Sequence, residues 1–281
     1  MKNNRRFWLK LLAALPMAAS LPAVAEVAAS VSQRGRLRVA VYNNFLPYSS
    51  EGKGIDADIG RAIAEKLGLV PEIVGFNADE DMNDDLRNMV WKGHYLGGQP
   101  ADVMMHVPVD EHLAKTNDKV RIFGPYHRET LALARNPERL PKPLSGSAVV
   151  ALEVFTREKV GVEIATLADA FLLSAMNGRL SENVVHFKTI GEAATALVDG
   201  KISAVLAPRA ELEAALKGKS KFAIDDQQFA ELKVDSWPVG MAVKAEEMEL
   251  AQAIAAVMAE LKRDGTVSAI FKRHGITYHP A

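Results

Sequence analysis

Residues 102–114 read DVMMHVPVDEHLA, an apolar, β-rich run that stops at His106 and gives way to Val107, Pro108 and an acidic turn. Other chemistry-bearing side chains recur at similar places. Asn43, Phe45 and Tyr48 follow the alternating segment 37–42, and Arg128 stands beside Tyr126. Thr166 opens a helical repeat, Arg209 follows the apolar segment 202–206, and Trp237 precedes another at 239–243. Lys142 sits between Pro141 and Pro143, which stiffen its loop. Cations, a helix N-terminus and aromatic faces together describe binding chemistry for a planar, multiply anionic aromatic ligand. Each charge-assisted bond contributes about 1.5–3 kcal/mol, and guanidinium or indole stacking adds to it. No Ser-His-Asp or Cys-His arrangement can be assembled, and with no cysteine a thiol nucleophile is impossible, so an enzyme is not expected. Plainer roles stand beside these: His106 as a strand cap, Thr166 as an N-cap, Lys142 as a solvated linker lysine rather than an amine adding to a ligand carbonyl.

The elements that must position these residues alternate. A strand at 37–42 precedes a Pro/Ser/Gly-rich loop to Asp56 and a helix carrying Ile59, Ala62, Ile63 and Leu67, with Asp56 or Asp58 as N-cap and Gly68 as terminator. A strand at 72–76 and a helix around 86–90 follow, then the apolar run. The alternation returns with strands at 160–163, 184–187 and 202–206 and helices from Thr166 and across 192–198. This is an α/β order with parallel sheets and a cleft at the strand carboxyl ends. Leu131–Arg135 and Val239–Val243 are expected to pair as two crossings between lobes, with the last helix returning to the first lobe. The division expected is 36–134 for the first part of lobe one, 135–236 for lobe two and 237–281 for the second hinge strand and the return.

The chain of 281 residues begins with Lys2, Arg5, Arg6 and Lys10, an apolar stretch from Phe7 to Ala18 and a small-x-small end at Ala23–Ala25. That pattern is a secretory leader, 1–25, and its stretch is shorter than a membrane span needs. Export to the periplasm is therefore expected. Without the leader, 30 basic side chains face 35 acidic ones, which points away from nucleic acid. Asp79, Asp81, Asn83 and Asp85 start like a calcium loop, but Asp84 and Val90 stand where glycine and glutamate belong, so the cluster reads as the acidic start of a helix and no metal is expected.

RLRVAVYNNFLPYS, GIDADIGRAIAEKLG, ADVMMHV, FGPYHRETLALAR, KVGVEIATLADAFL, GEAATALVDGKISAVLA and LKRDGTVSAIFKRHG together resemble the family 3 periplasmic solute-binding proteins of ABC importers. The resemblance implies two α/β lobes, a two-strand hinge and closure on a ligand. It also implies an arginine after the DVMM-type strand for the ligand carboxylate and an acid after the strand at 202–206 for its ammonium. Here the first segment has no arginine, and Ala207-Pro208-Arg209 puts a cation at the second. Ala165-Thr166 keeps the helix N-terminus that receives an anion.

These departures, with ADVMMHVPVD, resemble a branch found beside quinoprotein alcohol dehydrogenases of methylotrophy, including the methanol-oxidation J-type proteins. The ligand that this resemblance implies is pyrroloquinoline quinone, captured for uptake by a monomer working with an inner-membrane permease or a TonB-linked system. The alternatives are a J-type partner in quinoprotein dehydrogenase maturation and an amino-acid-type solute-binding protein.

Overall fold

The computed structural model describes residues 35–142, 144, 146–227, 229, 231–232 and 234–281; the leader read at 1–25 lies outside them. Strand β1 (Arg36–Tyr42) leads through a small hairpin, β2 (Asn44–Phe45) with β3 (Ser49–Ser50), into helix α1 (Ile55–Lys66). Gly54, not an aspartate, begins that helix; it holds φ +122°, and a β-carbon there would lie 2.4 Å from the Tyr48 carbonyl oxygen. Asp56, expected as a cap, is buried and accepts the Tyr126 hydroxyl at 2.6 Å. Strands β4 (Val70–Phe76) and β5 (Val103–Pro108) lie parallel on either side of β1. Between them Asp81 caps a short helix, accepting from the Asn83 and Asp84 amides, as the acidic-start reading of that cluster requires.

Strand β6 (Val120–Arg135) is sixteen residues long and belongs to both lobes. The second lobe follows with β7 (Val160–Glu163), α2 (Leu167–Ser174), β8 (Val184–Phe187), α3 (Ile190–Val198), β9 (Ala204–Pro208), α4 (Arg209–Ala215) and β10 (Ala223–Asp226). Strand β11 (Ser236–Lys244), α5 (Met248–Arg263) and α6 (Thr266–His274) complete the chain. Among the described residues the main sheet runs β4-β1-β5-β11-β6-β9-β7-β8, with β10 also paired to β6.

The expected pairing of 131–135 with 239–243 is corrected here. β11 runs antiparallel to the first part of β6, Ser236 opposite Thr130 and Lys244 opposite Val120, whereas 131–135 lie between β9 and β10. The reason is burial on both faces: Leu131 and Leu133 join one core of lobe two, and Ala132 and Ala134 join the other. α5 and α6 return to lobe one, where Ile254, Leu261 and Phe271 pack with Val39, Ile59 and Ile63. β6 and β11 thus form the hinge.

Candidate ligand-binding cleft

A cleft of about 1460 Å³ opens between the lobes. Lobe one contributes Phe45, Leu46 and Pro47 from the hairpin, Pro108 from the end of β5, and Asp110 beyond it. Lobe two contributes Glu163 at the end of β7, Thr166 and Leu167 at the start of α2, Thr189–Gly191 at the start of α3, and Ala207, Pro208, Glu211 and Ala214 from β9 and α4. Trp237 stands at the hinge, packed against the cores of both lobes. Apart from these polar groups the walls are mostly apolar, as ligand clefts are.

Of the nine residues singled out in the sequence, Phe45, Thr166 and Trp237 line this cleft. Asn43 is not part of the wall and donates from Nδ2 to Asn77 Oδ1 at 3.0 Å. Tyr48 is fully buried, its ring 4.1 Å from that of His106. His106 does not end its strand. Met241 faces Met105 and Gly240 faces Val107, so His106 is the extra residue of a β-bulge, with φ +60°. The bulge turns its ring inward, edge-on to Phe45 at 4.7 Å and with Nδ1 3.2 Å from Asp56 Oδ2. What the strand end delivers to the cleft is Pro108 and Asp110.

The expected cations are also elsewhere. Arg128 pairs opposite Pro238 in the hinge and is not in the cleft wall, and Lys142 is solvent-exposed away from it. Arg209 points away, donating to Glu213 at 3.0 Å and to Asp226 at 2.8 Å. No arginine lines the cleft among the described residues; Lys53 and Lys217 are exposed, and His274 is engaged with Asp58 at 2.9 Å. Acids line it instead: Glu51, Asp110, Glu163 and Glu211. The expectation of a cation-rich cleft, and with it the case for a tri-anionic quinone, loses its physical basis.

Two carboxylates outside the sequence-based expectations line lobe two's side of the cleft. Glu163 Oε2 accepts the Ile190 amide at 3.1 Å, at the N-terminus of α3, yet burial still pushes its carboxyl up. Glu211 has no hydrogen-bond partner among the described residues; burial first, and then the Glu163 charge, push it up to about 8. Behind them in the hinge, Glu129 is buried with both oxygens unbonded, 3.3 Å from His127 Nε2. Burial and then the charges of Glu211 and Glu213 keep Glu129 protonated well above the ordinary carboxylate range, while burial pulls His127 down to about 3. The strand-end rule had signalled Glu163, the last residue of β7. Glu211 gives no such signal, because an acid in a first helical turn ordinarily answers the helix dipole.

Thr166 acts as the N-cap of α2, its Oγ1 accepting the Asp169 amide at 3.3 Å and donating to the Glu163 carbonyl at 2.7 Å. Asp169 in turn accepts the Ala165 amide at 2.9 Å.

No family model matches the sequence, and no curated protein matches it. Solved structures do share its fold. An ancestral cationic amino-acid solute-binding protein aligns at 21% identity over 87% of this chain and 97% of its own, TM-score 0.67. A second structure of the same ancestral protein, described as a precursor of cyclohexadienyl dehydratase, aligns at 21% identity over 87% and 97%, TM-score 0.60. An amino-acid ABC transporter substrate-binding protein from Streptococcus pneumoniae, bound to L-arginine, aligns at 19% identity over 91% and 99%, TM-score 0.60. The chain has the periplasmic-binding-protein fold, two α/β lobes on a pair of hinge strands with a cleft between them.

Proposed function

We propose that the protein is a periplasmic solute-binding protein that captures a small amine-bearing solute, in the size class of an amino acid, and delivers it to an inner-membrane ABC permease. One observation carries the ligand's charge: Glu211 faces the cleft without a partner, beside Glu163. An acid held protonated chiefly by burial, with a like charge beside it, is a poor resting state and a good receptor, since an incoming ammonium stabilises its ionised form. The solved relatives support the same charge, one titled a cationic amino-acid binder and one holding L-arginine. The amino-acid-type alternative is therefore better supported than the quinone, whose carboxylates would meet Glu163 and Glu211. Nothing in the cleft or among the relatives speaks for a quinoprotein partner.

Calorimetry with L-arginine, L-lysine, simple amines and pyrroloquinoline quinone tests the reading, with Trp237 fluorescence following the cleft. Heat from at least one cationic compound and none from the quinone is the expected result. Tightest binding of the quinone would sink it.

Glu211 also favours a second reading. A carboxyl near 8 in a cleft has the right poise for general acid–base work, and the ancestral cationic amino-acid binder is itself described as a precursor of cyclohexadienyl dehydratase. Among the described residues no arginine lines the cleft wall to hold an acidic substrate, so binding is the preferred reading. Turnover of arogenate would reverse that order.

A further inference from the structure

The cleft has a place for an ammonium, and the helix ends where a carboxylate would be held already carry the chain's own acids. At the N-terminus of α2 the Ala165 amide is bonded to Asp169. The Thr166 hydroxyl hydrogen goes to the Glu163 carbonyl, so it has nothing left to donate to a guest. At the N-terminus of α3 the Ile190 amide is bonded to Glu163, and the Glu192 amide goes to Thr189 Oγ1. Each positive helix end therefore carries one of the chain's own carboxylates, and a second one brought there would meet a like charge. Among the described residues the guanidinium that clamps a carboxylate in two parallel bonds has no counterpart in the wall either: Arg209 is spent on Glu213 and Asp226. The cleft that Glu211 lines also offers apolar wall, with Leu131, Leu206, Ala214 and Trp237 among its lining residues.

From this arrangement we propose that the guest is a primary amine or guanidine on an apolar body with no α-carboxylate, its cation held by Glu211 and its carbon skeleton laid against Trp237 and Leu131. The inference rests on the solute-capture reading and specifies its ligand class. An α-carboxylate would be desolvated in closing the lobes beside Asp169 or Glu163 and without a guanidinium to pair with, a cost that an amine lacking it avoids. Lys53 and Lys217 stand exposed, where water screens what they offer.

The test is calorimetry of the full chain at about pH 7.5 with three matched pairs: L-arginine and agmatine, L-lysine and cadaverine, L-tyrosine and tyramine. In at least one pair the amine is expected to bind at least about tenfold more tightly than its amino acid. Glu211→Gln is expected to weaken that amine about thirtyfold, with a melting temperature no lower than the parent's to show that the variant folds. An amino acid binding as tightly as its amine overturns the ligand class and leaves solute capture standing. Undiminished amine binding by Glu211→Gln overturns the role of Glu211. Heat from none of the six compounds overturns both the ligand class and the capture reading.

Discussion

Arg209 donates from Nη1 to Asp226 at 2.8 Å and from Nε to Glu213 at 3.0 Å, and this takes it off the wall that Glu211 faces. The two residues are two apart on α4, and 100° per residue puts them on nearly opposite faces of the helix. Arg209 is thus a strut from α4 to β10. Arg209→Ala is expected to cost about 1 kcal/mol, the scale of a partly exposed ion pair, and to leave cadaverine affinity within about threefold. Thermal melts and calorimetry check both; a large loss of affinity with little loss of stability would restore the cation to the site.

Glu211 makes the free protein sensitive to pH in a defined direction. Its carboxyl is held at about 8 in the fold, against about 4.3 in an unfolded chain. Between those values the unfolded chain has released a proton that the folded chain retains, so this group's contribution to stability falls as pH rises from about 4.3 to about 8. Glu211→Gln should therefore match the parent near pH 5 and melt at a higher temperature than the parent near pH 8.5. Because an ammonium stabilises the ionised carboxylate, amine binding should release a proton, and affinity should rise with pH through the range about 6 to 8. Calorimetry in two buffers of different ionisation enthalpy measures that release. No proton release, with the parent and variant melting in parallel across pH, would remove the assignment.

The alternation of α and β in both lobes was legible because each segment carries its own periodicity: 131–135 read as a strand from its apolar run, and Thr166 read as a cap from residue type and position. Register was not legible. Nothing in DVMMHVP says that His106 is passed over by β11, since a bulge is a property of two strands and only one was being read. The same limit hid the site. The position of Arg209 after β9 points to the cleft, but the rotation of α4 decides its direction: Leu212 packs into a core of lobe two and Ala210, on the opposite face, against the core of lobe one. Glu163, by contrast, closes β7, and its place at a strand's carboxyl end is legible in the sequence.

The hinge is tied to lobe one by the bond from Tyr126 Oη on β6 to Asp56 Oδ1 on α1, both fully buried. Removing the donor alone and removing the acceptor are different experiments. Tyr126→Phe leaves Asp56 near His106 Nδ1 at 3.2 Å and is expected to cost about 1–2 kcal/mol. Asp56→Ala strands the Tyr126 hydroxyl and the His106 ring together inside the core, and a cost of about 3 kcal/mol or more is expected. Urea unfolding gives both; equal costs would mean that the Asp56–His106 contact contributes nothing.

Gly240 lies in β11 where both neighbours are irregular: the β5 bulge is on one side, and on the other the register with β6 slips between Val239 and Met241. The slips bring backbone close, so that a β-carbon on Gly240 would sit 2.5 Å from the Phe123 carbonyl oxygen and 2.8 Å from Val109 Cγ2. The first of these is backbone and cannot rotate away. Gly240→Ala is therefore expected to destabilise by about 2–3 kcal/mol through displaced hinge strands, and to alter amine affinity because those strands set how the lobes meet. Gly191→Ala is the contrasting case, in α3 with ordinary backbone angles and only Thr189 Oγ1 near, at 3.7 Å. There the methyl meets open space and limits the unfolded chain, so a gain of about 0.5–1 kcal/mol is expected. Parallel urea titrations separate the two, and a Gly240→Ala protein as stable as its parent would show that the hinge strands yield without cost.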